Sequence, residues 1–216
     1  MGKMIDSLNK INEKYKELEP IHLKELKEDC TVIMVVDVIN GFVKEGNLFS
    51  DRISKILSPI EELLNKGKNY KKIFIKDTHT HESLELETYP THCLVGTQEA
   101  EIVDELKGYI DNNSEVICKN STNAFVNEQF AKWLRENEGI KNYIIVGDCT
   151  DICVMQLALT LKAYHNEKNL KNRIIVPKNC VETYDLDVTY HDGDLLYLMS
   201  LYMMESNGIE IVEKVI

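Results

Sequence analysis

Two cysteines, Cys149 and Cys153, sit in the stretch VGDCTDICVMQLALTL, where an apolar run gives way to a helical pattern. The thiolate is the reactive form of cysteine, and a free thiol with a pKa near 8.5 is only a few per cent ionised at neutral pH. If Thr150 or Asp151 caps the helix, Cys153 falls in its first turn, where free N–H groups and the helix dipole favour an anion. A helix end with a lysine nearby is then expected to lower the Cys153 pKa. Spacing alone leaves Cys153 as either a nucleophile or a small core residue, and it reads Cys149, which precedes the cap, as core. The C-x-x-x-C pair is not the C-x-x-C redox spacing, and a zinc clip would need two further ligands.

A second segment, KDTHTHESLELETYPTHCLVGT, carries three of the six histidines of the chain. Asp77 and His79 are two apart, so on an extended backbone they project to one side, and His81 extends that row. His92 follows a loop long enough to fold back. Glu82, Glu85 and Glu87 offer further oxygens. Asp, His and a carboxylate suit Zn²⁺, or Fe²⁺ and Mn²⁺ at a six-coordinate site. The bland alternative is a polar loop with unrelated histidines.

The elements around these residues are readable from their pattern. TVIMVVDVI is a β-branched run without alternation, as suits a strand buried on both faces. Further strands are expected at KKIFIKDTH, EVICK, NYIIVG, NRIIVP and IEIVEKVI. Helices are expected at DRISKILSPIEELLNKG, closed by Gly67 with an irregularity at Pro59, and at EAEIVDELKGY, VNEQFAKWLRENEG, DICVMQLALTLKAYHNE and GDLLYLMSLYMMESNG. Ile5, Leu8, Ile11, Tyr15 and Leu18 form one apolar stripe on an N-terminal helix, which lies outside the core or against another copy of the chain. Alternating strands and helices predict a three-layer αβα fold with a six-stranded, mostly parallel sheet. Residues 1–216 read as a single domain, with residues 1–30 as an N-terminal helical extension. Asp37, Asp77, His79, Lys119 and the Gly147–Cys153 segment all fall just past strand ends, the edge where open α/β sheets build their sites.

The formal charge of −11 argues against a nucleic-acid surface or an anionic membrane. No apolar run approaches the roughly 20 residues of a membrane helix. MGKMIDSLNKINEKYKELEP lacks the apolar centre of a signal peptide and the acid-poor composition of a transit peptide, which points to the cytoplasm. In that reducing setting the six cysteines are expected to be free.

Taken together, the motifs VVDVINGF, DTH…YPTHCLVGT, CKNSTNAF and VGDCTDICV, continued by NCVETYD, resemble those of the isochorismatase-like cysteine hydrolases, and within them the nicotinamidases. The resemblance implies a three-layer α/β hydrolase acting on a small amide, nicotinamide foremost, with another small amide or carbamoyl substrate as the alternative. A non-catalytic metal- or ligand-binding domain is a further alternative. The resemblance implies Asp37, Lys119 and Cys153 as catalytic triad. It also implies a cis peptide before Cys149, with the backbone N–H groups of Cys149 and Cys153 as the oxyanion hole. By the same resemblance Asp77, His79 and His92 hold a divalent metal, zinc first and iron or manganese as alternatives. Glu85 is the fourth ligand in the carboxylate version and His81 in the other. Phe42 and Tyr89 match aromatic walls around a flat ring. Three departures stand out: Thr78 where an aromatic is usual, a missing further loop histidine, and Cys149 where alanine is common.

Overall fold

The structure is a computed structural model, and it describes residues 2–216. Six parallel strands form one sheet: β1 (Thr31–Val36), β2 (Lys71–Asp77), β3 (Ser114–Lys119), β4 (Asn142–Gly147), β5 (Arg173–Pro177) and β6 (Glu210–Val212). Their spatial order is β3-β2-β1-β4-β5-β6. The helices are α1 (Gly2–Lys16), α2 (Asn40–Val43), α3 (Asp51–Ser54), α4 (Leu57–Lys66), α5 (Asp104–Lys107), α6 (Glu128–Glu136), α7 (Met155–Glu167) and α8 (Gly193–Ser206). The fold is the expected three-layer α/β arrangement, with a sheet that is parallel throughout.

Every residue of β1 is buried, which explains its unalternating apolar run. Ile33 and Val35 join the layer containing Ile60, Leu63 and Leu64 of α4. Val32, Met34 and Val36 join the opposite layer with Phe130 of α6, Leu157 and Leu161 of α7 and Leu201 of α8. The chain leaves β1 toward β2 on one side and later returns to β4 on the other. The carboxyl ends of β1 and β4 therefore border the crevice where α/β sheets take ligands.

β1 and β4 come closest at Gly147. Its φ is +116°, and a Cβ there would lie 1.9 Å from the Val36 carbonyl oxygen. No side chain fits without moving the strand. Gly147→Ala is expected to destabilise the fold by about 3 kcal/mol or more, read as a lower urea midpoint; an unchanged midpoint would mean the two strands can part there at little cost.

Several elements differ from the sequence reading. The long helix expected over residues 51–67 is two, parted at Lys55 and Ile56. Pro59 sits in the first turn of α4, where a missing N–H costs nothing, so the irregularity precedes it. The EAEIVDELKGY helix shrinks to α5, because Ile102 pairs antiparallel with Ile39 and holds the preceding residues extended. The last strand ends at Val212, and Val215 bridges to Ile21 instead.

The 1–30 segment is helical only over α1, with two single 3₁₀ turns at Leu23–Glu25 and Glu28–Cys30. Leu23 and Leu26 are buried, and the Leu23 N–H donates to the Ile216 carbonyl at 2.8 Å, so this stretch is fastened to the C-terminal end. Along α1, Tyr15 is buried and its hydroxyl donates to Glu205 of α8 at 2.8 Å, whereas Met4 and Ile5 are exposed. All six cysteines are free. No helix among the described residues is long and apolar enough to cross a membrane.

Candidate active site

Asp37, the residue after β1, takes the left-handed conformation (φ 55°), which Asp tolerates better than most side chains. Its Oδ1 accepts the Asp77 N–H at 2.8 Å. Lys119, the last residue of β3, is 1% exposed and reaches the same place. Its Nζ lies 2.8 Å from Asp37 Oδ2, donates to Asp77 Oδ1 at 2.5 Å and contacts Cys153 Sγ at 3.5 Å. Donor atoms of Asp37, Asp77 and Cys153 lie within 4.8 Å of one another. The structure thus brings together a thiol, two carboxylates and an ammonium drawn from four strand ends.

The electrostatics differ from the expectation for Cys153. Burial pushes the thiol pKa well up, the Asp37 and Asp77 carboxylates add to the rise, and Lys119 only partly opposes them. Neither Thr150 nor Asp151 caps a helix over it: Cys149 occupies the cap position of a π-helical turn, Thr150–Val154, with no side-chain cap. A neutral thiol is the resting form. Burial and the Asp77 carboxylate raise the Asp37 pKa to about 6, against the pull of Lys119. Burial disfavours the Asp77 carboxylate too, but the Lys119 ammonium outweighs it and holds its pKa below the usual range. Lys119 stays protonated, because the two carboxylates overcome its own desolvation.

Asp77, His79 and His92 form a buried cluster whose donor atoms lie within 4.8 Å of one another. The 80–92 loop makes this possible by returning alongside residue 79. The His79 N–H donates to the Cys93 carbonyl at 3.0 Å, and the Val95 N–H to the His79 carbonyl at 2.8 Å. His79 Nδ1 is 3.0 Å from Asn120 Oδ1 and His92 Nδ1 is 2.7 Å from the Pro90 carbonyl. Both partners are oxygen acceptors, so each ring carries its proton on Nδ1 and turns the Nε2 lone pair toward Asp77, as metal-binding histidines do. The Nε2–Oδ distances are 3.5 Å for His79 and 3.8 Å for His92. His79 Nε2 and Glu85 Oε2 are buried with no hydrogen-bond partner among the described residues. Glu85 borders the same cleft and anchors its other oxygen on the Thr122 N–H at 2.6 Å. Two imidazoles and a carboxylate fit a divalent metal; Glu85, with its unfilled oxygen on the same cleft, lies outside that cluster. His81, the alternative fourth ligand, is exposed and outside the cluster, as are Glu82 and Glu87.

Residues 31–204 match the sequence profile of the isochorismatase domain. The chain belongs to the isochorismatase family. It is similar to nicotinamidase 1 of Arabidopsis thaliana, 27% identical over 227 residues, covering 92% of this chain and 91% of that protein. Its fold resembles that of the Pyrococcus horikoshii pyrazinamidase solved in complex with zinc (TM-score 0.68, 23% identity, 85% of this chain and 99% of that one). It also resembles N-carbamoylsarcosine amidase from Thermoplasma acidophilum (TM-score 0.66, 22% identity, 84% and 95%). The same fold is thus found in a pyrazinamidase and in an N-carbamoylsarcosine amidase.

In this isochorismatase-family cleft, Phe42, Leu48, Asp77, Glu85, Tyr89, His92, Thr122, Cys149, Ile152, Cys153 and Tyr184 form the walls. Phe42 and Tyr89 stand edge-on to His92, with ring centroids 5.7 and 6.3 Å away, on the side of the Asp/His cluster. The Asp148–Cys149 peptide is cis. The N–H groups of Ile152 and Val154 both donate to the Cys149 carbonyl at 3.1 Å, which fixes the turn that carries Cys153. Asp148 is fully buried with Oδ2 unpartnered among the described residues, and burial together with Asp37 pushes its pKa well up. Sequence reasoning passed over Asp148, Asn120, Thr122, Ile152 and Tyr184. Asn120 and Thr122 were within reach of it, since both lie in the CKNSTNAF segment that supplies Lys119.

Proposed function

We propose that this protein is a metal-dependent amidohydrolase of nicotinamidase type, converting nicotinamide and water to nicotinate and ammonia. The observation that carries the reading is a buried cysteine, aspartate and lysine in mutual contact, in a cleft shared with an Asp/His/His cluster. The similarity to the Arabidopsis nicotinamidase supports it.

Cys153 Sγ attacks the amide carbonyl carbon, and Asp37 takes the thiol proton as the C–S bond forms. The raised Asp37 pKa suits this exchange with a thiol that rests protonated. Lys119, 3.5 Å from the sulfur, offsets the negative charge as it moves from Asp37 to sulfur and back. The backbone N–H groups of Cys149 and Cys153 serve the oxyanion, where one donor is worth about 3 kcal/mol. Collapse breaks the C–N bond, and ammonia leaves with the proton from Asp37. Water then adds to the thioester, gives a proton to Asp37, and the sulfur departs to regain it. A divalent metal, zinc foremost, would be held by Asp77, His79, His92 and Glu85, where it would supply Lewis-acid binding of the ring nitrogen. Phe42 and Tyr89 flank that ring. We read the chain as one hydrolase domain, with residues 1–30 as an extension outside the segment matched by the family.

Ammonia release from nicotinamide, pyrazinamide and a panel of aliphatic amides, with metal content measured on the same sample, tests the reading. Exhaustive chelation is expected to cut nicotinamide turnover at least about tenfold, with recovery on adding Zn²⁺, Fe²⁺ or Mn²⁺. Turnover that survives complete metal removal would sink the metal's part. Glu85→Ala is expected to lower metal affinity about 10- to 100-fold, and His81→Ala to leave it unchanged. The opposite ranking would exchange those assignments.

A further inference from the structure

The cleft has a third aromatic side chain that none of the roles above uses. Tyr184 follows β5, is 6% exposed, and lines the cleft beside Cys149 and Cys153. Burial holds its hydroxyl protonated, so the side chain is a neutral ring with one donor. The His191 ring lies against it with centroids 4.0 Å apart and planes inclined by 16°.

His191 is itself tethered at both ring nitrogens. Nε2 is 2.9 Å from Asp151 Oδ2, and Nδ1 is 2.9 Å from the Tyr184 carbonyl oxygen. The ring is therefore held at both ends, by the Asp151 carboxyl group and by the Tyr184 backbone. Thr183 Oγ1 donates to the other Asp151 oxygen at 2.5 Å. The loop between the two rings closes on itself, because Leu186 and His191 exchange both backbone hydrogen bonds, at 3.0 and 3.1 Å. Asp151 belongs to the turn that carries Cys153. An unbroken series of short contacts therefore runs from the nucleophile's turn through His191 to the face of Tyr184. Packing alone would let the Tyr184 ring follow its neighbours; this tether fixes it relative to Cys153.

We propose that Tyr184, clamped against the cleft by the Asp151–His191 pair, is the specificity-determining wall that selects a flat aromatic amide over a puckered ring of the same size. A fixed planar wall meets a flat ring along its whole face or edge, whereas a saturated ring is thicker and touches it at a few hydrogens. Tyr184 is the discriminating residue and His191 a positioning residue. The inference rests on the amidase reading.

The test compares benzamide with cyclohexanecarboxamide, which match in size and polar group, differ in flatness and lack the ring nitrogen. Each is measured as substrate or, where turnover is slow, as competitive inhibitor of nicotinamide hydrolysis. In wild-type protein benzamide is expected to be favoured. Tyr184→Ala is expected to shrink that preference about tenfold, chiefly through KM or the inhibition constant, with an unchanged circular dichroism spectrum. Tyr184→Phe should retain it. His191→Ala keeps the Tyr184 ring but frees it, and should shrink the preference about threefold, which also decides the matter if Tyr184→Ala does not fold. An active wild type whose preference is the same in Tyr184→Ala, or in His191→Ala if only that variant folds, overturns this proposal alone. A wild type that releases ammonia from no amide overturns the amidase reading, and this proposal with it.

Discussion

Cys153→Ala is expected to abolish ammonia release from nicotinamide, a fall of at least about 10⁴-fold in kcat, while the protein stays folded. In the proposed mechanism the thioester forms on Cys153, since Cys149 is equally buried but its sulfur faces Asp148 at 3.9 Å, not Lys119. The substitution removes a single sulfur from a buried site, which costs about 1 kcal/mol of stability. Ammonia production, a thermal melt, and mass spectrometry of quenched reactions for an acyl adduct at residue 153 together check it. Retained turnover, or an adduct on another residue, would remove Cys153 from the chemistry. The wild-type kcat/KM should also show an acid limb. Asp37 must be ionised to receive the thiol proton, and its pKa is raised to about 6, so activity falls as pH drops through that value.

The thiol's state matters to how the site works. A cysteine at a helix end with a lysine beside it suggests a preformed thiolate. Here the cysteine is buried between two carboxylates, and that environment opposes a second resting anion more strongly than Lys119 favours one. The ammonium is already engaged by Asp37 and Asp77. In the proposed mechanism attack and proton transfer are thereby coupled: the negative charge that Lys119 balances moves between Asp37 and sulfur and never adds to the total.

What the sequence disclosed follows from the range of the interactions involved. Val32–Val36 announces a doubly buried strand because both neighbours of each residue's side chain are apolar layers, and Asp37 stands out at its end because burial of an acid there needs a partner. The pairing of Asp77 with His79, and the loop that returns His92 to them, are likewise written in local spacing. The strand order was not legible, since parallel strands are joined by crossovers whose direction no local pattern records. The short α5 misled because Ile102 looks like a helix-face residue, yet a partner far away in sequence, Ile39, claims its backbone. The Cys153 pKa departs from expectation for the same reason: the cap is a local signal, whereas the burial and the Asp37 and Asp77 carboxylates that raise it come from parts of the chain far away in sequence. Tyr184 and His191 were invisible as a pair because a stack within a loop leaves no periodicity.

Lys119→Met is the substitution in which chemistry and stability should fail together. The side chain fits a similar volume but deletes the one cation between two buried carboxylates. With no metal bound, leaving them unpaired is expected to cost about 3–5 kcal/mol near pH 8, besides a loss of about 10³-fold or more in turnover of the metal-loaded protein. The two stability profiles then differ in sign. In the wild type, Asp77 has a lowered pKa, so its stabilising contribution is present above the ordinary carboxylate range and is lost as pH falls toward its folded value. Asp37 has a raised pKa, and favours the fold below the ordinary range and progressively less as pH rises through about 6. Without the ammonium, burial and mutual repulsion act on both groups, both pKa values rise, and both behave as Asp37 does. Stability of the variant should therefore be greatest in mild acid and fall with rising pH, so that its deficit in melting temperature widens from about pH 5 to pH 8 in the presence of a chelator. A deficit that stays constant across that range would mean that Lys119 supports the fold through its aliphatic chain alone, and the charge balance assigned to Asp37, Asp77 and Lys119 would have to be abandoned.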